Sequence, residues 1–190
     1  MKKLSQICIV LSFFHESFGQ DVPLNKLAIN LGYYGETVTH AGMNVGVEYY
    51  PHQSDRHKMI LAGNVGGYTH KRNNTSLFIR GQWGQRVEFK SGLFLDQFIG
   101  LGYLHQFVHG GGLYEVLPNG SVVEKSNTGE PKIMPSVALG LGYKFKKDSF
   151  NRFEYYFRPE LFWKAPFNGY YLTHLAINTG VIINLNKHEK

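Results

Sequence analysis

The side chains best able to do chemistry in this 190-residue chain are ions and imidazoles at even positions. Glu48, Arg80, Arg86, Glu88, Asp96, Lys144, Arg152, Glu154, Arg158, Glu160 and Lys164 lie in or beside stretches whose odd positions are mostly apolar and carry no Asp, Glu, Lys or Arg. Mixed charges gathered on one side of a wall can do one of two things. They can line a polar conduit, or they can pair and fill a narrow interior. Unpaired buried ions cost several kcal/mol each, and near-balanced signs suit pairing. The expectation is a paired ion network rather than an open channel.

Three histidines share the even parity: His40, His70 and His174. They fall near the ends of what read as the second, third and eighth strands, with His105 and His109 near the same end of the fifth. Imidazoles gathered this way suit Zn²⁺ or Cu²⁺. No sequence-local ligand spacing accompanies them, and no cofactor is implied elsewhere.

The elements that must hold these groups follow from the alternation. Between 153 and 164, Phe153, Tyr155, Phe157, Pro159, Leu161 and Trp163 occupy odd positions, with Glu154, Arg158, Glu160 and Lys164 between them. A strand sends successive side chains to opposite faces, so one face is oily and the other ionic. The same reading gives strands from Leu27 to Tyr34, Met43 to Tyr49, Met59 to Thr69 and Leu77 to Phe89. It continues through Leu93 to Phe107, Val137 to Phe145, Phe153 to Lys164 and Leu172 to Leu185. The third is the least regular, with Ile60 and Ala62 on the even face beside Asn64 and Gly66. Turns are expected at 35–40, 51–58, 71–74, 90–92, 146–151 and 165–170. A long polar loop runs from Gly110 to Ile133, with a hairpin signal at Pro118-Asn119-Gly120.

Twenty-two glycines, 14 phenylalanines and 12 tyrosines favour strands, turns and aromatic girdles over a helix bundle. No stretch approaches the ~20 uninterrupted apolar residues of a membrane helix. The N-terminus reads as a secretory signal over residues 1–19: Lys2 and Lys3, an apolar run from Ile7 to Phe14, then Ser17 and Gly19. Residues 20–190 then form one barrel domain. The one cysteine, Cys8, lies within the signal, so no disulfide is expected. The formal charge of +6 is spread along the chain rather than clustered, which argues against nucleic acid as a partner.

Eight alternating strands close either a soluble barrel, apolar face inward, or a membrane barrel, apolar face outward. Three features favour the membrane. No Asp, Glu, Lys or Arg sits at an odd position within the strands. Odd-face aromatics fall at both strand ends, Tyr49, Tyr143 and Tyr155 at one and Tyr33, Tyr103 and Trp163 at the other, as interface girdles do. Most strand glycines are even, which makes room for arginines in an interior only as wide as its side chains. The fold expected is all-β: an eight-stranded antiparallel up-and-down transmembrane β-barrel.

The signal, Gln20 as the mature start, and the repeats Gly100-Leu101-Gly102-Tyr103 and Gly140-Leu141-Gly142-Tyr143 resemble small outer-membrane barrels of the OmpA/OmpX class, Bacteroidota type. The resemblance spans about residues 24–186 and is one of architecture. It implies a porin-like cell-envelope protein of the bacterial outer membrane, in contact with the lipid bilayer and lipopolysaccharide. It implies a non-enzymatic structural or surface-binding role, with the Gly110 to Ile133 loop and the 71–74 tip as contact surfaces. A lipid A-modifying enzyme is the alternative in the same membrane. The compact His-x-Ser pattern of lipid A deacylases is missing, since Ala176 follows His174 and Phe107 follows His105 at that spacing. The other alternative is a soluble lipocalin-like periplasmic barrel with an apolar ligand.

Overall fold

The computed structural model describes residues 24–37, 39–110, 113–145, 152–167 and 170–185. The signal reading at 1–19 and the turn at 146–151 lie outside the described residues. A short 3-10 turn, Leu24–Lys26, leads into ten strands: β1 (Leu27–Glu36), β2 (Gly42–Tyr49), β3 (His57–His70), β4 (Asn74–Glu88) and β5 (Leu93–Val108), then β6 (Leu113–Val116), β7 (Val122–Lys125), β8 (Glu130–Lys144), β9 (Phe153–Phe167) and β10 (Tyr170–Asn184). Eight of them close an antiparallel barrel in the order β1-β10-β9-β8-β5-β4-β3-β2, and β6 and β7 form a separate hairpin. Closure is made by β1 on β10, from Ala28 opposite Asn184 to Glu36 opposite Ala176.

The alternation is inside out relative to a water-soluble protein. Leu31, Met43, Ile79, Ile99, Leu101 and Leu139 lie on the exterior, Leu139 with 68% of its surface exposed. Glu48, Arg86 and Glu154 are wholly buried within. Glycine in the interior is a matter of room rather than of backbone angle. A Cβ on Gly142 would collide with the Phe94 ring, and one on Gly100 would stand 2.8 Å from the side chains of both Gln82 and Ser136. Two apolar clusters fill the interior between the ions. One includes Tyr50, Ile60, Phe94, Phe98, Tyr156 and Ile182, towards the end with the short turns. The other includes Tyr34, Tyr68, Phe78, Leu104, Met134 and Phe162, towards the end with the hairpin.

Several strands are longer than their sequence signals. β8 begins at Glu130 rather than Val137, and β9 and β10 run to Phe167 and from Tyr170, which leaves two residues where a six-residue loop was expected. A bilayer is crossed by about 9–11 strand residues. β8, β9 and β10 have 15 residues each, so their outer ends pass beyond that span, where neither face must be apolar and the alternation fades. The glycine-marked hairpin is present: Leu117 N–H donates to Ser121 O, and Gly120 takes the positive φ of +82° that glycine tolerates.

One seam is weaker than the rest. The β3–β4 ladder is continuous from His57 opposite Val87 to His70 opposite Asn74. The β8–β9 ladder is broken into Ile133 opposite Ala165, a run over Ser136–Ala138 and a run over Leu141–Lys144. Pro135 and Pro159 flank the gaps, and a proline has no N–H to give a ladder. Amide hydrogen exchange of the folded protein, followed by NMR, is expected to be faster at Leu139 and Gly140 than at the middle of β3 by on the order of tenfold. Equal protection on the two seams would refute the weakness.

Candidate functional site

The interior charges are assembled from opposite walls of the barrel. Arg86 on β4 donates from Nε to Asp96 Oδ1 at 2.7 Å and from Nη2 to Asp96 Oδ2 at 3.1 Å on neighbouring β5. Its Nη1 crosses to Glu154 Oε2 on β9 at 2.5 Å. Arg158, also on β9, reaches the same Asp96 Oδ2 from Nη2 at 2.7 Å, and Glu48 Oε1 on β2 at 3.0 Å. Asp96 therefore sits between two guanidinium groups, and Glu48 ties the pair to the far wall. Glu48 also lies 3.6 Å from Arg86 Nη2. Arg80 pairs with Glu160, which Tyr34 Oη approaches at 3.5 Å.

Planar cations here rest on rings. The Arg86 guanidinium lies 4.0 Å from the Phe94 centroid, and Arg158 lies 4.3 Å from Tyr156 and 4.7 Å from Phe98. Such stacking adds to the ion pairs when water is excluded. Neutral amides complete the packing: Asn184 Nδ2 donates to Glu154 Oε1 at 2.9 Å, and Asn64 Nδ2 to Gln82 Oε1 at 3.1 Å.

Not every residue of the sequence-derived network lies in it. Glu88 sits at the inner edge, 2.5 Å from Lys58 Nζ, a lysine that the sequence reading placed in a turn. Lys144 is half-exposed and faces Glu154 across the β8–β9 ladder. Arg152 is exposed, a correction to its expected place in the lumen. It precedes β9, and its carbonyl oxygen accepts from Asn184 N at 2.9 Å, which fixes its backbone just before the strand begins.

At the opposite mouth, β1 ends on Glu36, and the bridge between Glu36 and His40 closes the turn into β2. The Glu36 carboxylate gathers three cation-forming side chains from three elements. His40 Nδ1 bonds to Oε2, His174 Nδ1 on β10 lies 2.6 Å from Oε1, and Lys164 Nζ on β9 lies 3.2 Å from Oε1. His70 on β3 presents its ring edge-on to His40 with centroids 4.0 Å apart. His174 stacks on Phe162 at 5.2 Å. The three even histidines thus meet at one rim, around a carboxylate that the sequence reading had placed in a turn. The signal for it was present: Glu36 shares the even parity of Tyr34 and Gly32. His105 and His109 go elsewhere. His105 Nε2 bonds Thr128 O at 2.9 Å beside the hairpin, and His109 Nε2 lies 2.8 Å from Thr75 Oγ1.

A closed ring of eight antiparallel strands, oily outside and ion-filled inside, has the fold of the small outer-membrane β-barrels. Among solved structures the chain is similar to Neisserial surface protein A, with TM-score 0.57 and 10% identity over 83% of this chain and 95% of that one. It is also similar to the N-terminal β-barrel domain of Pseudomonas aeruginosa OprF (TM-score 0.49, 14% identity, 84% and 96% covered). A third similar structure is Ail, the attachment invasion locus protein of Yersinia pestis (TM-score 0.45, 11% identity, 83% and 97% covered). No protein-family model and no curated protein matches the chain by sequence.

Proposed function

We propose that this protein is a non-enzymatic barrel of the bacterial outer membrane, sealed through its middle, whose working surface is its extracellular end. The observation that carries the reading is the packing of the interior. Arg80, Arg86 and Arg158 are bound to carboxylates from other strands, and the spaces over Gly84, Gly140 and Gly142 are taken by Phe98, Arg158 and Phe94. An eight-stranded ring so filled supports a plug better than a conduit.

Short turns mark the inner end of such barrels and longer loops the outer end. By that rule the rim bearing Glu36, the 71–74 tip and the β6–β7 hairpin faces outward. The hairpin exposes Tyr114, Val116 and Val122 on one face, a surface suited to a ligand outside the cell. Lys71 and Arg72 stand exposed at that end, and their charge suits the phosphates of lipopolysaccharide. A basic side chain near an anionic surface contributes about 1 kcal/mol.

The test has two parts. In planar bilayers the refolded protein is expected to add no stepwise conductance; discrete current steps would replace the plug with a conduit. In detergent at low ionic strength, the doubly substituted Lys71→Ala, Arg72→Ala protein is expected to retain on the order of tenfold less lipopolysaccharide than the parent. Undiminished retention would remove the tip from the contact surface.

A further inference from the structure

The outer rim holds a feature that ligand contact by the loops does not use. We propose that Glu36, His40, His70 and His174 form a binding site for a first-row divalent metal ion, Zn²⁺ or Cu²⁺, at the extracellular mouth of the barrel. Four observations converge. The donor set, three imidazoles and one carboxylate, is one that both ions accept. The residues come from β1, the β1–β2 turn, β3 and β10, so the closed ring holds them and sequence proximity does not. Two imidazole nitrogens already address the two oxygens of one carboxylate, His40 Nδ1 on Oε2 and His174 Nδ1 on Oε1 at 2.6 Å.

The fourth observation concerns an atom without a partner. His70 Nδ1 is shielded from solvent and has no hydrogen-bond partner among the described residues. A buried polar nitrogen left unmatched costs about 1–3 kcal/mol, so one beside this carboxylate calls for an explanation. The His70 ring lies against His40, 4.0 Å between centroids, which places a third imidazole beside the carboxylate pair.

In the structure the side chains bond to one another, and no three donors among the described residues surround a common point. The adjustment needed is small. Tetrahedral ligands about 2.0–2.1 Å from Zn²⁺ stand roughly 3.3 Å apart, so the His174 to Glu36 contact must open by about 0.7 Å. Residues at the rim can make that change by side-chain rotation, since His40 and His174 are 21% and 16% exposed and border solvent. Lys164 Nζ, 3.2 Å from Glu36 Oε1, occupies the place of the competing cation. Its removal is expected to strengthen metal binding, an effect that a merely structural histidine cluster would not show.

The experiment uses the untagged mature barrel refolded in detergent, with folding of every variant checked by mobility on unboiled gels. Zn²⁺ is titrated calorimetrically, and Cu²⁺ is followed by electron paramagnetic resonance for coupling to ring nitrogens. One ion per chain is expected. His70→Ala, which removes no hydrogen bond or ion pair, is expected to weaken binding at least tenfold, and His40→Ala with His174→Ala about a hundredfold. Lys164→Gln is expected to tighten it several-fold, and His105→Ala with His109→Ala to leave it unchanged. No saturable binding, or binding that survives the loss of His70 and of the His40/His174 pair, would overturn the proposal. Failure here leaves the sealed-barrel reading intact, because that reading rests on conductance and lipopolysaccharide retention.

Discussion

Arg86→Met is expected to destabilise the barrel by about 3–5 kcal/mol, the usual cost of removing one partner from a buried charge cluster. Arg86 is fully buried and is the hydrogen-bonded link between Asp96 on β5 and Glu154 on β9, with Glu48 within 3.6 Å. Without it, three carboxylates face one another in a space with little water. Arg158 remains to balance Asp96 and Glu48, and among the described residues Glu154 keeps only the Asn184 amide as a hydrogen-bond donor, with Lys144 opposite it on β8. Urea unfolding in lipid vesicles, read by the change in gel mobility, measures the loss. Arg152→Met is the control, because Arg152 is exposed, and a surface change of that kind stays within about 0.5 kcal/mol. Adding Asp96→Asn and Glu154→Gln to Arg86→Met is expected to recover most of the stability, since neutral groups replace the abandoned ions. An Arg86→Met barrel as stable as the parent would show that the network contributes nothing net.

The second large effect concerns the outside of the wall. Leu101 lies mid-strand on β5, opposite Gly81 and Pro135, with 63% of its surface exposed. Leu101→Arg is expected to cost about 2–4 kcal/mol in vesicles, the penalty for a cation at the middle of the bilayer. Tyr103→Arg, one pair of residues nearer the outer interface, is expected to cost less. The depth dependence is the diagnostic part. On a barrel standing in water, exposed Leu101→Arg would be nearly neutral and would not differ from Tyr103→Arg in this direction.

Parity was the legible part of this chain, and the reason is physical. A thin wall between oil and a narrow lumen imposes a period of two on both faces, and one residue of slip would put ions into lipid. Arg80, Arg86, Asp96, Glu154, Arg158 and Glu160 therefore declared their side by number alone. Their partners did not. Asp96 joins two arginines because β5 lies beside β4 and only β8 separates it from β9, which is a property of the closed ring. β3 read poorly for a different reason: Gly63 and Gly67 occupy its lipid face, so its apolar stripe is interrupted between Leu61 and Val65. Where strands leave the membrane, as at Glu130 or Pro166, the two-faced constraint lapses and the strand signal lapses with it. Glu36 was lost in this way, at the strand end where the three histidines gather.

The order of strands around the ring has a consequence for how the wall is made. Apart from β1 on β10, every barrel seam joins strands that follow one another along the barrel, with the β6–β7 hairpin carried between β5 and β8. Assembly can thus advance one hairpin at a time, each new strand covering the edge left by the last. A single event of long reach remains, the meeting of Ala28 with Asn184. Its entropic cost grows only with the logarithm of the intervening length, so length is a minor obstacle. Until it occurs, β1 and the growing strand both present unpaired backbone. The vulnerable interval of this molecule is the wait for its last strand, during which a partner that shields two open edges has more to offer than one that shields an apolar core.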